Sequence, residues 1–137
     1  HSERLAAQGL DPLPDYLPNR EPAQPGARYP LAMISPPART FLNSTFVNVK
    51  SLRNIETEPL LEMHPDDAAA RGIADGIPVR VFNDRGSYAC RVALNGRARP
   101  GVVHGLGIWW RKFGLQGTNV NEVTGQALTD LGAAPTF

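Results

Sequence analysis

Residues 30–48, PLAMISPPARTFLNSTFVN, run a short apolar stretch directly into a loop dense in hydroxyl, amide and guanidinium groups. Ser35, Arg39, Thr40, Asn43, Ser44, Thr45 and Asn48 are the side chains that hold a polar or anionic ligand by hydrogen bonds. The same residue types also form turns by bonding their own backbone, and none of them is by itself a catalytic signature. A second candidate is residues 117–124, GTNVNEVT, where an extended chain would point Asn119 and Asn121 to the same side. The competing reading there is an Asx turn beside glycine. A third is residues 99–110, RPGVVHGLGIWW. Glycines beside His104, at Gly105 and Gly107, let a ligand approach the backbone, and a Trp ring can cover a flat heterocycle. One of Trp109 and Trp110 is expected inside the domain and the other at an interface.

Other chemistries are poorly supplied. Cys90 is the only cysteine, so the chain has no internal disulfide and no thiolate cluster for zinc or iron-sulfur. Its alternation with Tyr88, Val92 and Leu94 marks it as a buried packing residue. His64 precedes a helix as a cap, His104 lies by a strand end and His1 is terminal, a distribution that makes no metal site. His1 and Ser2 also read as an added tag.

The elements that must position these groups are short. With 13 Gly and 13 Pro in 137 residues, the chain is cut into pieces too brief for long helices, while 42% apolar content suffices for one core. Residues 11–29 hold five prolines and no apolar period, the pattern of an extended strap. Residues 1–28 are therefore expected to be a linker or strap, with the folded body at 29–137. Strands are expected at 31–34, 60–63, 77–82, 88–94 and 102–106. Residues 46–55 read as a helical turn or irregular, and His64-Pro65-Asp66-Asp67 opens a short helix that Gly72 stops. Residues 83–86, Asn-Asp-Arg-Gly, form a hairpin loop in which Ile77, Val79 and Val81 share one face of the first arm. Short strands at this spacing suggest a small closed barrel.

The net charge of +1 conceals an uneven distribution: residues 1–79 carry 7 basic and 10 acidic groups, residues 80–112 carry 7 basic and 1 acidic. The local excess suits an anionic ligand or a docking surface, and equally a solvated exterior. No run of about 18 apolar residues spans a membrane, residues 1–10 lack the apolar core of a signal peptide, and no nucleic-acid partner is expected. Cytoplasm and periplasm are both left open.

Together with MHPDDAAARGIADG (63–76) and VFNDRGSY (81–88), the three polar segments resemble the C-terminal molybdopterin dinucleotide-binding domain of the dimethyl sulfoxide reductase family, over about residues 29–137. The resemblance implies a mainly β fold, a six-stranded double-psi β-barrel of the aspartate-decarboxylase-like type with short helices. It implies molybdopterin guanine dinucleotide as cofactor and the remaining domains of a molybdenum or tungsten oxidoreductase as partners, so that the domain is not a complete enzyme. Carried onto this chain, the cofactor contacts are Ser35, Arg39, Thr40, Asn43, Ser44, Asn48, His104, Gly105, Asn119 and Asn121, with no catalytic residue and no metal ligand. The family continues beyond a sequence like that of residues 134–137 into a last strand, so that strand is expected to be trimmed or variable here. Two alternatives stay open: a double-psi barrel serving as a protein-docking module, or a free-standing small subunit of such an enzyme. Gly86-Ser87 also matches the dipeptide at which pyruvoyl-dependent aspartate decarboxylase, a barrel of the same type, cleaves itself, although an ordinary hairpin explains it as well.

Overall fold

The computed structural model describes residues 2–11, 13, 16 and 26–128. By contacts the chain forms two units, residues 23–124 and a smaller one that joins residues 1–22 with 125–137. In the smaller unit, Ser2 caps helix α1 (Glu3–Ala7) by accepting from the Leu5 amide at 3.4 Å. The expected extended strap falls mostly on residues 12–25, which lie largely outside the described residues.

The larger unit is mainly β. Its strands are β1 (Ala32–Ile34), β2 (Leu60–Glu62), β3 (Pro78–Phe82), β4 (Ser87–Ala93) and β5 (Val102–Gly105), with helices α2 (Lys50–Glu56) and α3 (Pro65–Ala69) between the early ones. They form one sheet in the order β1-β5-β2-β4-β3. β1 runs parallel to β5 and β2 parallel to β4, whereas β2 and β5, and β3 and β4, are antiparallel. Among the described residues the sheet has five strands and two open edges, β1 and β3, where a closed barrel of six was expected.

Local chemistry accounts for the boundaries. Pro65 occupies the first turn of α3, Asp66 and Asp67 sit at its positive end, and His64 Nδ1 accepts from the Asp66 amide at 3.2 Å. Gly72, at φ +63°, takes the left-handed conformation that closes the following turn. In the β3–β4 hairpin, Asn83 Oδ1 accepts from the amides of Arg85 and Gly86 at 2.9 and 3.3 Å, so the turn is held by the asparagine side chain. Gly86 has a packing reason as well: a Cβ there would lie 2.7 Å from the Glu122 carbonyl oxygen. The hairpin thus explains Gly86-Ser87 without self-cleavage.

Two clusters make the core. Leu61, Met63, Ala68, Tyr88, Cys90, Val92, Val103, Val120 and Val123 pack under the sheet, with Val79 and Val81 against them, following the alternation of the strands. Ala38, Phe41, Val47 and Trp109 form the second beneath the 35–48 loop, where the Phe41 and Trp109 rings meet edge to face at 5.1 Å. Three of the seven basic groups of residues 80–112 are paired on folding: Arg91, Arg97 and Arg111 meet Glu58, Glu62 and Glu122, all from outside that stretch.

Candidate functional site

Strand β1 delivers the chain into residues 35–48, and β5 delivers it into residues 106–110, because the two strands are parallel neighbours with Ile34 beside His104. The two exits therefore emerge on the same side. Three hydrogen bonds then tie them together: the Gly107 amide donates to the Pro36 carbonyl at 2.9 Å, the Ile108 amide to the Asn43 carbonyl at 3.3 Å, and the Trp110 indole N–H to the Ser44 carbonyl at 2.8 Å. On its other flank the same segment receives residues 117–124, since Asn119 Nδ2 donates to the Trp109 carbonyl at 3.0 Å. Residues 35–48 and 118–121 thus meet across residues 105–110.

Within this assembly the ten sequence-derived residues divide by what their side chains already do. Thr40 is committed: its hydroxyl donates to Glu56 Oε1 at 2.8 Å and its amide to the same oxygen at 2.7 Å, fixing the loop to the end of α2. Asn119 is committed too, capping a 3-10 turn (Val120–Glu122) by accepting from the Asn121 amide at 3.1 Å. The segment thus takes the Asx-turn form that competed with an extended chain: Asn119 is itself extended and residues 120–122 turn after it. His104 is held through Nδ1 by Glu62 Oε2 at 3.0 Å. Gly105 is buried for packing, as a Cβ there would stand 2.7 Å from the Tyr88 hydroxyl. Ser35, Arg39, Asn43, Ser44, Asn48 and Asn121, by contrast, make no side-chain hydrogen bond among the described residues, and Arg39, Asn43, Asn48 and Asn121 are exposed.

The loop is held in an uncommon backbone shape. Asn43 and Phe46 have φ of +52° and +76°. Asparagine tolerates the left-handed region, whereas an aromatic residue enters it only when its surroundings demand it. Leu42 and Thr45 exchange backbone hydrogen bonds of 3.2 and 2.8 Å across this tight turn.

Two cavities stand out among the described residues. A cavity of about 10 Å³ between Tyr88, Gly105, Trp109 and Asn119 holds one water at most. A cleft of about 420 Å³ lies over β3 and β4, between Arg80, Arg91 and Gln116, and contains none of the ten residues. A ligand of the 35–48 loop would lie on an open rim.

Sequence reasoning missed Glu62, a carboxylate only 3% exposed. Burial alone would raise its pKa, but donation from Asn95 at 2.7 Å, from His104 and from Arg97 outweighs burial and holds it below the usual carboxylate value. No motif announces it, since its partners lie in two later segments. Burial pushes the Cys90 thiol up to about 12, in keeping with an inert packing residue.

Hydrogen bonds thus join residues 35–48, 107–110 and 119 in one small, mainly β domain. The sequence profile of the molydopterin dinucleotide binding domain matches residues 31–137, so the chain belongs to that family, the molybdopterin dinucleotide-binding domains of oxidoreductases related to dimethyl sulfoxide reductase. It is 34% identical over 137 residues to the probable oxidoreductase YoaE of Bacillus subtilis, covering 100% of this chain and 19% of that protein. It is 36% identical over 104 residues to the dimethyl sulfoxide reductase DmsA of Escherichia coli, covering 74% of this chain and 13% of that protein. With the dimethyl sulfoxide/trimethylamine N-oxide reductase of Rhodobacter capsulatus, identity is 40% over 111 residues, 75% of this chain and 13% of the other. Acetylene hydratase from Pelobacter acetylenicus shares the fold, with a TM-score of 0.76 at 21% identity over 98% of this chain and 21% of that one. The chain thus spans about a fifth or less of the length of these relatives.

Proposed function

We propose that this domain holds one side of a molybdopterin guanine dinucleotide within a larger molybdenum or tungsten oxidoreductase, and that it is not catalytically complete alone. The observation that carries the reading is the set of six uncommitted polar side chains on loops joined by residues 105–110. Their chemistry fits the group: Arg39 suits the pyrophosphate, and the amides and hydroxyls of Ser35, Asn43, Ser44, Asn48 and Asn121 suit the hydrogen-bonding edges of the pterin and guanine. Thr40, Asn119, His104 and Gly105 serve this reading by shaping the rim. When bound, the cofactor supplies oxygen-atom or electron transfer, and the domain supplies orientation and hydrogen bonds.

On the same reading the five-stranded sheet is the greater part of a double-psi barrel, and residues 1–28 are a linker. The mixture of parallel β1–β5 and β2–β4 pairs with antiparallel neighbours supports the former. Leu42, Phe46 and Val49 are exposed beside the loop, which suits docking of the parent's other domains.

The test is cofactor content. In the full-length protein carrying this domain, Asn121→Ala and Arg39→Ala should each lower the bound pterin and metal, because a group on the ligand loses its partner. Full occupancy and activity in both variants would show that these side chains serve turns alone.

A further inference from the structure

The 35–48 loop is held by more than its own turn. Trp110 donates its indole N–H to the Ser44 carbonyl at 2.8 Å. Its ring stacks on Phe113, with centroids 6.3 Å apart and planes at 24°. Phe113 in turn carries the Arg53 guanidinium at 3.9 Å over its face, and Lys112 Nζ lies 4.9 Å from both rings. Arg53, in α2, reaches back to the Val47 carbonyl at 2.9 Å. One continuous stack, Trp110–Phe113–Arg53, therefore grips the loop at Ser44 and again at Val47. Between the two grips lies Phe46, in the left-handed backbone that an aromatic residue does not adopt unaided.

From this we infer that Trp110 is a positioning residue for the dinucleotide, acting through the stack to hold residues 42–47 in the shape that presents Asn43 and Ser44. The inference rests on the proposed function and extends it to residues outside the ten named from the sequence. The grip has a specific chemistry. Ring stacking alone would accept Phe at position 110, but only an N–H donor closes the bond to Ser44, so the ring and its donor are separable by substitution. Gly107 and Ile108 also hold the loop, yet they do so through backbone amides, which do not depend on a side chain's donor. Trp110 is the contributor from this segment whose side chain makes the bond.

The experiment compares Trp110→Phe with the native full-length protein, loaded and stripped of cofactor. The reporters are the amides of Leu42 and Thr45, bonded to each other's carbonyls across the loop. In the stripped protein their hydrogen exchange should quicken about fivefold, the effect of losing one hydrogen bond. Release of molybdopterin dinucleotide from the loaded protein should quicken by a similar factor. The thermal midpoint should fall by no more than the loss of one hydrogen bond implies, whereas a merely structural role would leave cofactor release from the folded protein unchanged. Phe113→Leu keeps the donor and removes the ring beneath it; it should shift the same two readouts by about twofold, and it carries the test should Trp110→Phe fail to accumulate. Unchanged exchange at Leu42 and Thr45, beside cofactor loss in Asn121→Ala, overturns the inference alone. Faster exchange with unchanged release, where Asn43→Ala and Asn121→Ala also retain full cofactor, overturns the site assignment, and the inference falls with it.

Discussion

Gly105 separates packing from ligand approach. An alanine Cβ there would lie 2.7 Å from the Tyr88 hydroxyl oxygen, and also 3.4 Å from Val120 Cγ2 and 3.6 Å from Met33 Sδ. The hydroxyl would have to retreat by about 0.7 Å to reach ordinary contact, and Tyr88 is only 4% exposed, so it has little room. Overpacking of this kind costs about 1–3 kcal/mol, offset by about 0.4–1 kcal/mol from the reduced freedom of the unfolded chain. Gly105→Ala should therefore destabilise by roughly 1–2 kcal/mol. The Tyr88 hydroxyl has sulfur neighbours, Met33 Sδ at 3.6 Å and the Cys90 thiol, both weak partners, so Tyr88→Phe should cost less than about 1 kcal/mol. Because it removes the clashing oxygen, the double variant should return to within about 0.5 kcal/mol of Tyr88→Phe alone. Urea unfolding of the 137-residue chain, followed by fluorescence of the buried Trp109, measures all three. Simple additivity of the two single effects would refute the packing account.

Asn119→Ala should lower stability by about 0.5–2 kcal/mol through loss of its cap, whereas Asn121→Ala should leave the urea midpoint unchanged and lower only cofactor occupancy. Glu62 is a depressed carboxylate, so its contribution is present above the ordinary glutamate value near 4.5 and is lost as pH falls through the lower folded value. Glu62→Gln should accordingly flatten that acid limb of stability while lowering the plateau at neutral pH, as read from unfolding midpoints across the acid range. Cys90, with its thiol pushed up to about 12, should resist iodoacetamide in mildly alkaline buffer in the folded chain and react once urea unfolds it, by mass spectrometry.

Local chemistry made much of this legible. The β3–β4 alternation, the Asn83 hairpin and the His64-Pro65 start of α3 depend on residues close in sequence, and the structure has them where pattern and capping place them. The 35–48 loop was legible as polar, but not its division of labour. Thr40 is spent on Glu56, and Asn119 turns inward to Trp109, because each meets a partner from another element. The same holds for the charge of residues 80–112: the excess is real in the sequence, and three of its seven basic groups meet glutamates from outside the stretch. The sheet order lay beyond periodicity altogether, since alternation says which face is buried and not which strand is the neighbour.

The pairing of β1 with β5 also sets an order of assembly. Ala32 meets Val102, so the sheet's first strand finds its partner only after nearly the whole described body has been made, and among the described residues it is an edge strand that pairs with no other. Contacts so distant in sequence form late, after the cost of closing the long intervening chain has been met. The local β3–β4 hairpin needs no such wait. During synthesis, residues 35–48 leave the ribosome well before β5 and the 106–110 segment that fix them, so this loop is among the first parts of this body made and among the last to take its shape.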